Sequence, residues 1–98
     1  MEILVKDIVK SETAISYDDG KECLRLVVEG LEKEGNVTLN FDGIRFVITA
    51  FLNPVIGDLI IQQGQDVMKK IQITNINEDI AEKIKIVRNG ALIKREDI

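Results

Sequence analysis

Residues 36–60 read NVTLNFDGIRFVITAFLNPVIGDLI, and the spacing of the apolar residues changes within this stretch. Over 37–41 every second residue is apolar, which is typical of a strand with one buried face. From Leu52 onward the apolar residues recur at intervals of three and four, which is typical of an amphipathic helix. A strand that leads into a helix in this way indicates the α/β class.

The start of this second helix is open to two interpretations. Thr49 is a suitable cap, but Pro54 then lies in the second turn, where it forfeits a backbone hydrogen bond. Asn53 as the cap, with Pro54 at the first helical position, avoids that loss. One turn later, Gly57 is expected to permit a close approach of the helix to the sheet or to a neighbouring helix.

Strands and amphipathic helices alternate along the whole chain. Because a helix lies between them, the strands over 37–41 and 70–74 are predicted to be parallel, with the N-terminal strand at an edge. We predict a single α/β domain over residues 1–98, in which three helices pack on a small, mostly parallel or mixed sheet. The predicted elements are strand 2–9, helix 19–34, strand 37–41, a helix ending at Gly64, strand 70–74 and a helix after Asn77.

Short polar residues and glycines mark the ends of the predicted helices. Asp18 or Asp19 is expected to cap the first helix, and Gly35 to end it in a left-handed conformation. Asn77 is expected to cap the last helix. Gly90 weakens that helix by about 1 kcal/mol relative to alanine.

Composition excludes several classes of function. A net charge of −4 argues against a partner bound through its phosphate backbone, so we expect no nucleic acid. The first ten residues do not resemble a signal peptide, and no apolar run approaches the roughly 18 residues of a membrane span. We therefore expect a cytoplasmic protein that does not bind a membrane.

The sequence contains few of the residues that are typical of a catalytic site. There is no histidine, and Cys23, the one cysteine, falls within a helical pattern where it is expected to be a small buried residue rather than a reactive thiol. The carboxylates fall mostly on polar helix faces or in turns, as solvated residues do. We predict no enzyme, no metal site and no cofactor.

The chain resembles a known family over residues 18 to 88. The stretch DDGKECLRLVVEGLEKEGNVTLNFDGIRFVITAFLNPVIGDLI is similar to the STAS-like domains of the DUF4325 group, relatives of the anti-sigma-factor antagonists. The Asp19-Gly20 pair opens the first helix as in that group. Phe51, Asn53 and Gly57 stand at fixed offsets in an otherwise aliphatic helix, and amphipathicity alone does not demand them there.

The resemblance implies where a phosphorylation switch would lie. In anti-sigma-factor antagonists, the loop before the second helix carries an aspartate, a hydroxyl residue and then the serine that a kinase phosphorylates. Ile48, Thr49 and Ala50 occupy these places here. Alanine has no hydroxyl, so the switch does not carry over to position 50, and Thr49 is either a nearby acceptor or, more simply, a helix cap.

The resemblance also implies a partner, namely a histidine-kinase-like ATPase or an anti-sigma factor. We predict a non-enzymatic regulatory module that binds it through Phe46, Thr49, Ala50, Phe51 and Asn53, where the two rings would be anchors if exposed and core residues if not. One alternative is a domain that binds a nucleotide or another small ligand at the start of the second helix. Another is a homodimer or larger homo-oligomer that pairs through a sheet edge.

Overall fold

The computed structural model describes the backbone of residues 1–96 and the side chains of residues 1–94. Three parallel strands form its main sheet, with the first strand of the chain at one edge, as predicted. Ile3 lies beside Leu39, which lies beside Ile73. The strands, in spatial order, are β1 (Glu2–Leu4), β3 (Val37–Asn40) and β5 (Ile71–Thr74).

The N-terminal segment differs from the predicted strand over 2–9. The strand ends at Leu4, and α1 (Val5–Val9) follows as a short helix that ends at Lys10 in the left-handed conformation. The apolar residues at 5, 8 and 9 have the spacing of a helical face, and Val5 is fully buried. The chain is therefore a strand only over the first three residues of the predicted range, and the helical spacing of the residues that follow accounts for α1.

A second, two-stranded parallel sheet lies beside the first. It joins β2 (Thr13–Ala14) to β4 (Phe46–Val47), and β2 was not predicted. The Asp42-Gly43 turn leads into β4, and Gly43 has the positive φ of 81° that favours glycine there. The short apolar run at 44–48 thus pairs briefly before it delivers the chain to the next helix.

The first long helix, α2 (Tyr17–Glu34), begins two residues earlier than predicted. Ser16 is its cap, because the Ser16 hydroxyl accepts a hydrogen bond from the backbone N–H of Asp19 at 3.2 Å. The prediction that an aspartate caps this helix is therefore wrong. Gly35 ends the helix at φ 80°, as predicted.

The middle helix spans residues 49–63, and neither predicted cap is correct. Ile48 holds the cap position without a side-chain hydrogen bond, and the helix continues through Asn53. Pro54 has no N–H to donate, so the backbone widens into a π-helical segment. The parts are α3 (Thr49–Leu52), the π segment (Asn53–Asp58) and α4 (Leu59–Gln63).

The last long helix is α5 (Glu78–Glu96), and it packs along the middle helix. Asn77 caps it, as predicted, through a 2.8 Å hydrogen bond from the backbone N–H of Ile80 to the Asn77 side-chain oxygen. The helix continues through Gly90. A 3-10 helix (Gln65–Lys70), between the middle helix and β5, was not predicted. The α/β prediction is confirmed, with two parallel sheets and short helices added to the three long ones.

Candidate functional site

An open groove of about 370 Å³ separates the middle helix from α5. On one side Thr49, Asn53 and Gly57 line it at intervals of four residues, so they share one helix face. The opposite wall belongs to α5, where Gly90 contributes no side chain. The lining residues are Thr49, Asn53, Gly57, Asp58, Ile61, Ile86, Val87, Gly90, Ala91 and Lys94.

The structure separates the five predicted site residues into exposed and buried ones. Thr49 and Asn53 are exposed at the groove, and Ala50 is half-buried beside them. Phe46, on β4 just before the middle helix, is 46% exposed. Phe51 is 0% exposed and therefore belongs to the core rather than to a contact surface.

Lys83 links α5 to β4, because it contacts both Phe46 and Val47. Its ammonium donates a 2.7 Å hydrogen bond to the backbone carbonyl of Val47 and forms a 3.1 Å ion pair with Asp79. The same nitrogen lies 4.4 Å from the centroid of the Phe46 ring, within the range of a cation–π interaction. Sequence reasoning missed Lys83, because only the i,i+4 spacing from Asp79 is visible without the fold.

Exposed isoleucines extend the apolar surface along α5. Ile86 is 56% exposed and Ile93 is 61% exposed, and they lie seven residues apart, which is two helical turns. They form a second apolar stripe, beside the buried one. The buried stripe is Ile80, Ile84, Val87 and Ala91. Sequence reasoning missed the exposed stripe, although the seven-residue spacing of Ile86 and Ile93 is visible in the sequence.

The opposite side of the middle helix is tightly closed. A Cβ placed on Gly20 of α2 would meet the Phe51 carbonyl oxygen and would lie 2.6 Å from Cγ of Pro54. By contrast, a Cβ on Gly57 would lie 3.5 Å from Cγ1 of Val87, an ordinary van der Waals contact. The close approach expected at Gly57 is therefore found at Gly20 instead.

The cysteine thiol is held in its protonated form. Cys23 is fully buried, as predicted, and burial, with a smaller contribution from the charge of Glu22, raises its pKa from 9.0 to about 12. A thiol is a poor nucleophile until it ionises. Within residues 1–94, no group of three histidine, cysteine or acidic side chains could hold a metal ion.

Charged side chains on α2 are paired on the solvent side. Arg25 contacts Glu22 at 2.6 Å and Glu29 at 3.2 Å, and Lys33 contacts Glu29 at 2.9 Å. The hydrogen bond from Arg25 lowers the pKa of Glu22, and the hydrogen bond from Lys33 lowers that of Glu29. These pairs line a solvated helix face, which agrees with the prediction that such carboxylates are solvated.

None of the described helices is long and apolar enough to cross a membrane. A family model described as a STAS-like domain of unknown function (DUF4325) matches residues 19–81. The match includes the middle helix and ends in the first turn of α5. No curated protein and no solved structure matches the chain.

Proposed function

The chain belongs to the STAS-like domains of unknown function, and from this premise we propose that it is a non-enzymatic regulatory module that binds a protein. Its partner is a histidine-kinase-like ATPase or an anti-sigma factor, as the resemblance to anti-sigma-factor antagonists implies. The contact surface consists of Phe46, Thr49, Ala50 and Asn53. We also propose that the protein is located in the cytoplasm.

The observation that carries the proposal is the exposure of Phe46 immediately before the middle helix. An aromatic ring that stands in solvent offers a large contact area at a low cost in side-chain entropy, and such rings are frequent anchors of interfaces. Lys83 covers part of the ring and reduces its freedom before binding. Thr49 and Asn53 add exposed polar groups to the same region, which suits the polar rim of an interface.

Binding through this surface does not depend on phosphorylation of residue 50. Ala50 has no hydroxyl to receive a phosphate. The partner therefore meets a surface whose charge at position 50 does not change, and we propose that the complex is regulated by other means. Thr49 retains an exposed hydroxyl one residue earlier.

A capture experiment tests the contact surface. The immobilised chain is incubated with purified ATPases of the anti-sigma kinase class and with anti-sigma factors, and the retained protein is quantified. We expect Phe46→Ala to weaken retention roughly tenfold or more, the effect of losing an interface anchor. Asn53→Ala should weaken it less.

Glu32→Ala, an exposed change on α2, is the matched control and should retain the wild-type amount. Each variant is first shown to melt cooperatively, so that loss of binding is not loss of folding. Unchanged retention by folded Phe46→Ala and Asn53→Ala variants would contradict the proposed surface. No retention of any protein of these classes by the wild type would contradict the proposed partner.

The groove also supports a second candidate function, the binding of a nucleotide or another small ligand. Its volume of about 370 Å³ falls at the lower end of small-molecule sites, and Asn53 and Lys94 provide polar groups for a ligand. A nucleotide panel at about millimolar concentration should raise the melting temperature, and the rise should increase with nucleotide concentration, if this function holds. A rise that Asn53→Ala abolishes would favour it over protein binding.

A further inference from the structure

Ile86 and Gly90 form a projection and a notch on the same side of α5. Ile86 is more than half exposed, and Gly90 follows one turn later. Apart from the two chain neighbours of Gly90 and the nearby helix backbone, no described atom lies within 4 Å of the point where a Cβ of residue 90 would stand. Both residues line the groove. A surface that carries both a projection and a matching notch is able to recognise a copy of itself.

Two opposite charges flank this pair of residues. Glu82 lies one turn before Ile86, and Lys94 lies one turn after Gly90. Both are exposed, and neither is ion-paired among the residues that the structure describes. One end of the exposed stripe is therefore acidic and the other is basic, so the stripe is complementary to itself when reversed.

We propose that a second copy of this chain docks in the groove, with the two α5 helices antiparallel about a two-fold axis. Ile86 of each copy enters the notch at Gly90 of the other. The same register places Glu82 opposite Lys94, because both pairs are centred on residue 88. Two independent features, shape and charge, thus select one register.

Arg88 itself does not oppose this arrangement. It lines a separate depression with Ile60 and Leu92, on another side of α5 from Ile86 and Gly90. Two like charges therefore do not meet on the axis. The interface is isologous, so it closes at two copies and does not propagate into a fibre.

The second copy covers the groove wall to which Thr49 and Asn53 belong. Self-association therefore competes with any partner or ligand that needs this wall. The proposal does not rest on the proposed function, because the dimer forms from the isolated chain. If the dimer is absent, the proposed function is unaffected, and the reverse also holds.

Sedimentation equilibrium of the full chain tests the dimer, from about 10 µM to about 1 mM, a range that includes the affinities of small interfaces. We expect a monomer–dimer equilibrium within it. Ile86→Glu should weaken association roughly tenfold or more, since it places a charge in the apolar notch. Gly90→Gln fills the notch with a residue that favours the helix, so it should weaken association without lowering the melting temperature.

A charge exchange tests the register. Glu82→Lys alone places lysine opposite Lys94 and should weaken the dimer. Combination with Lys94→Glu restores the opposite charges and should recover the wild-type association constant. Glu32→Lys makes the same change of charge on α2 and should leave association unchanged.

Three results would overturn the proposal. The first is a monomer over the whole concentration range. The second is a dimer that Ile86→Glu and Gly90→Gln leave intact, which would place the interface elsewhere, for example at a sheet edge. The third is a double charge exchange that associates no better than Glu82→Lys alone.

Discussion

The two sides of the middle helix contrast in how closely they are packed. Towards α2, the backbone of Gly20 approaches so closely that even a Cβ would collide with the Phe51 carbonyl and the Pro54 ring. Towards α5, Gly57 has room for a Cβ and Gly90 faces open space. The helix is thus fixed on one side and accessible on the other.

Through this difference in packing, a small domain combines stability with a binding surface. The closed side brings the π segment against α2 and buries Phe51, so it holds the start of the middle helix in place. The open side leaves Thr49 and Asn53 exposed on the same helix. A surface that is positioned by a rigid contact on its far side loses less conformational entropy when it binds.

The largest expected effect comes from the same substitution made on each side. Phe51→Ala removes a fully buried ring and should lower the free energy of unfolding by about 3–5 kcal/mol. Phe46→Ala removes a half-exposed ring and one cation–π contact, so it should cost about 1 kcal/mol. Urea unfolding of both variants measures this. Equal losses would remove the contrast between the two sides.

Glycine substitutions test the packing itself. Gly20→Ala should destabilise the domain by about 1–3 kcal/mol, because the added methyl group meets backbone and a proline ring that do not move aside. Gly57→Ala is the matched control, and its methyl group meets only an ordinary contact with Val87. It should leave stability unchanged or raise it by up to about 1 kcal/mol. A tolerated Gly20→Ala would mean that the closed side is loosely packed.

The loss of stability at alkaline pH tests how well Cys23 is buried on α2, the helix of the closed side. Below the ordinary thiol pKa of 9.0, the thiol is protonated in both states and contributes no pH dependence. Between 9.0 and about 12, the unfolded chain loses this proton while the folded chain keeps it. The free energy of unfolding should therefore fall by up to about 1.4 kcal/mol per pH unit.

Urea melts from pH 7 to pH 10 follow this slope. Cys23→Ala is the control, since it removes the thiol but leaves every other titrating group in place. The variant should be less stable at pH 7 and should show a shallower decline. Identical slopes for wild type and variant would mean that the thiol reaches solvent in the folded state.

The smallest expected effect is a gain on the open side. Gly90→Ala places a methyl group in open space and removes the helix cost of glycine. The free energy of unfolding should rise by about 0.5–1 kcal/mol, measured on dilute protein so that self-association does not contribute. A loss of stability would show that the backbone at residue 90 needs glycine.

Several features of the fold were predictable from local sequence. Gly35 ends α2 and Asn77 caps α5, because a left-handed glycine and a short amide satisfy helix ends through local geometry alone. The parallel pairing of β3 with β5 followed from the helix between them. The two helix ends depend on local geometry, and the direction of the strand pairing follows from the order of the elements along the chain.

Other features required distant contacts. Residues 2–9 suit both a strand and, from Val5, a helix, and the strand extends only as far as Leu4, where β1 pairs with β3. β2 is only two residues long and exists through its pairing with β4, a partner more than thirty residues away. At the middle helix, local sequence indicates two regular starts around Pro54, whereas the structure has a π-helical segment there.

The residues of the candidate site likewise divide into those that the sequence indicated and those that only the structure identifies. The resemblance indicated Thr49, Ala50 and Asn53, and these residues lie together at the start of the middle helix. It did not distinguish Phe46 from Phe51, of which only the former reaches the surface. Lys83 and Ile86 come to this site from α5, and only the contacts of α5 with β4 and the middle helix show that they belong to it.

The α/β class, the long helices, the parallel strands and the absence of a hydroxyl at residue 50 all follow from the amino-acid sequence alone. These depend on the periodicity of side chains and on their chemical identity, which are local properties. The closed side of the middle helix and the exposed aromatic ring are identified only by the packing of the folded chain. Both depend on how closely α2 and α5 approach that helix, and distances between elements are set by packing across the whole core.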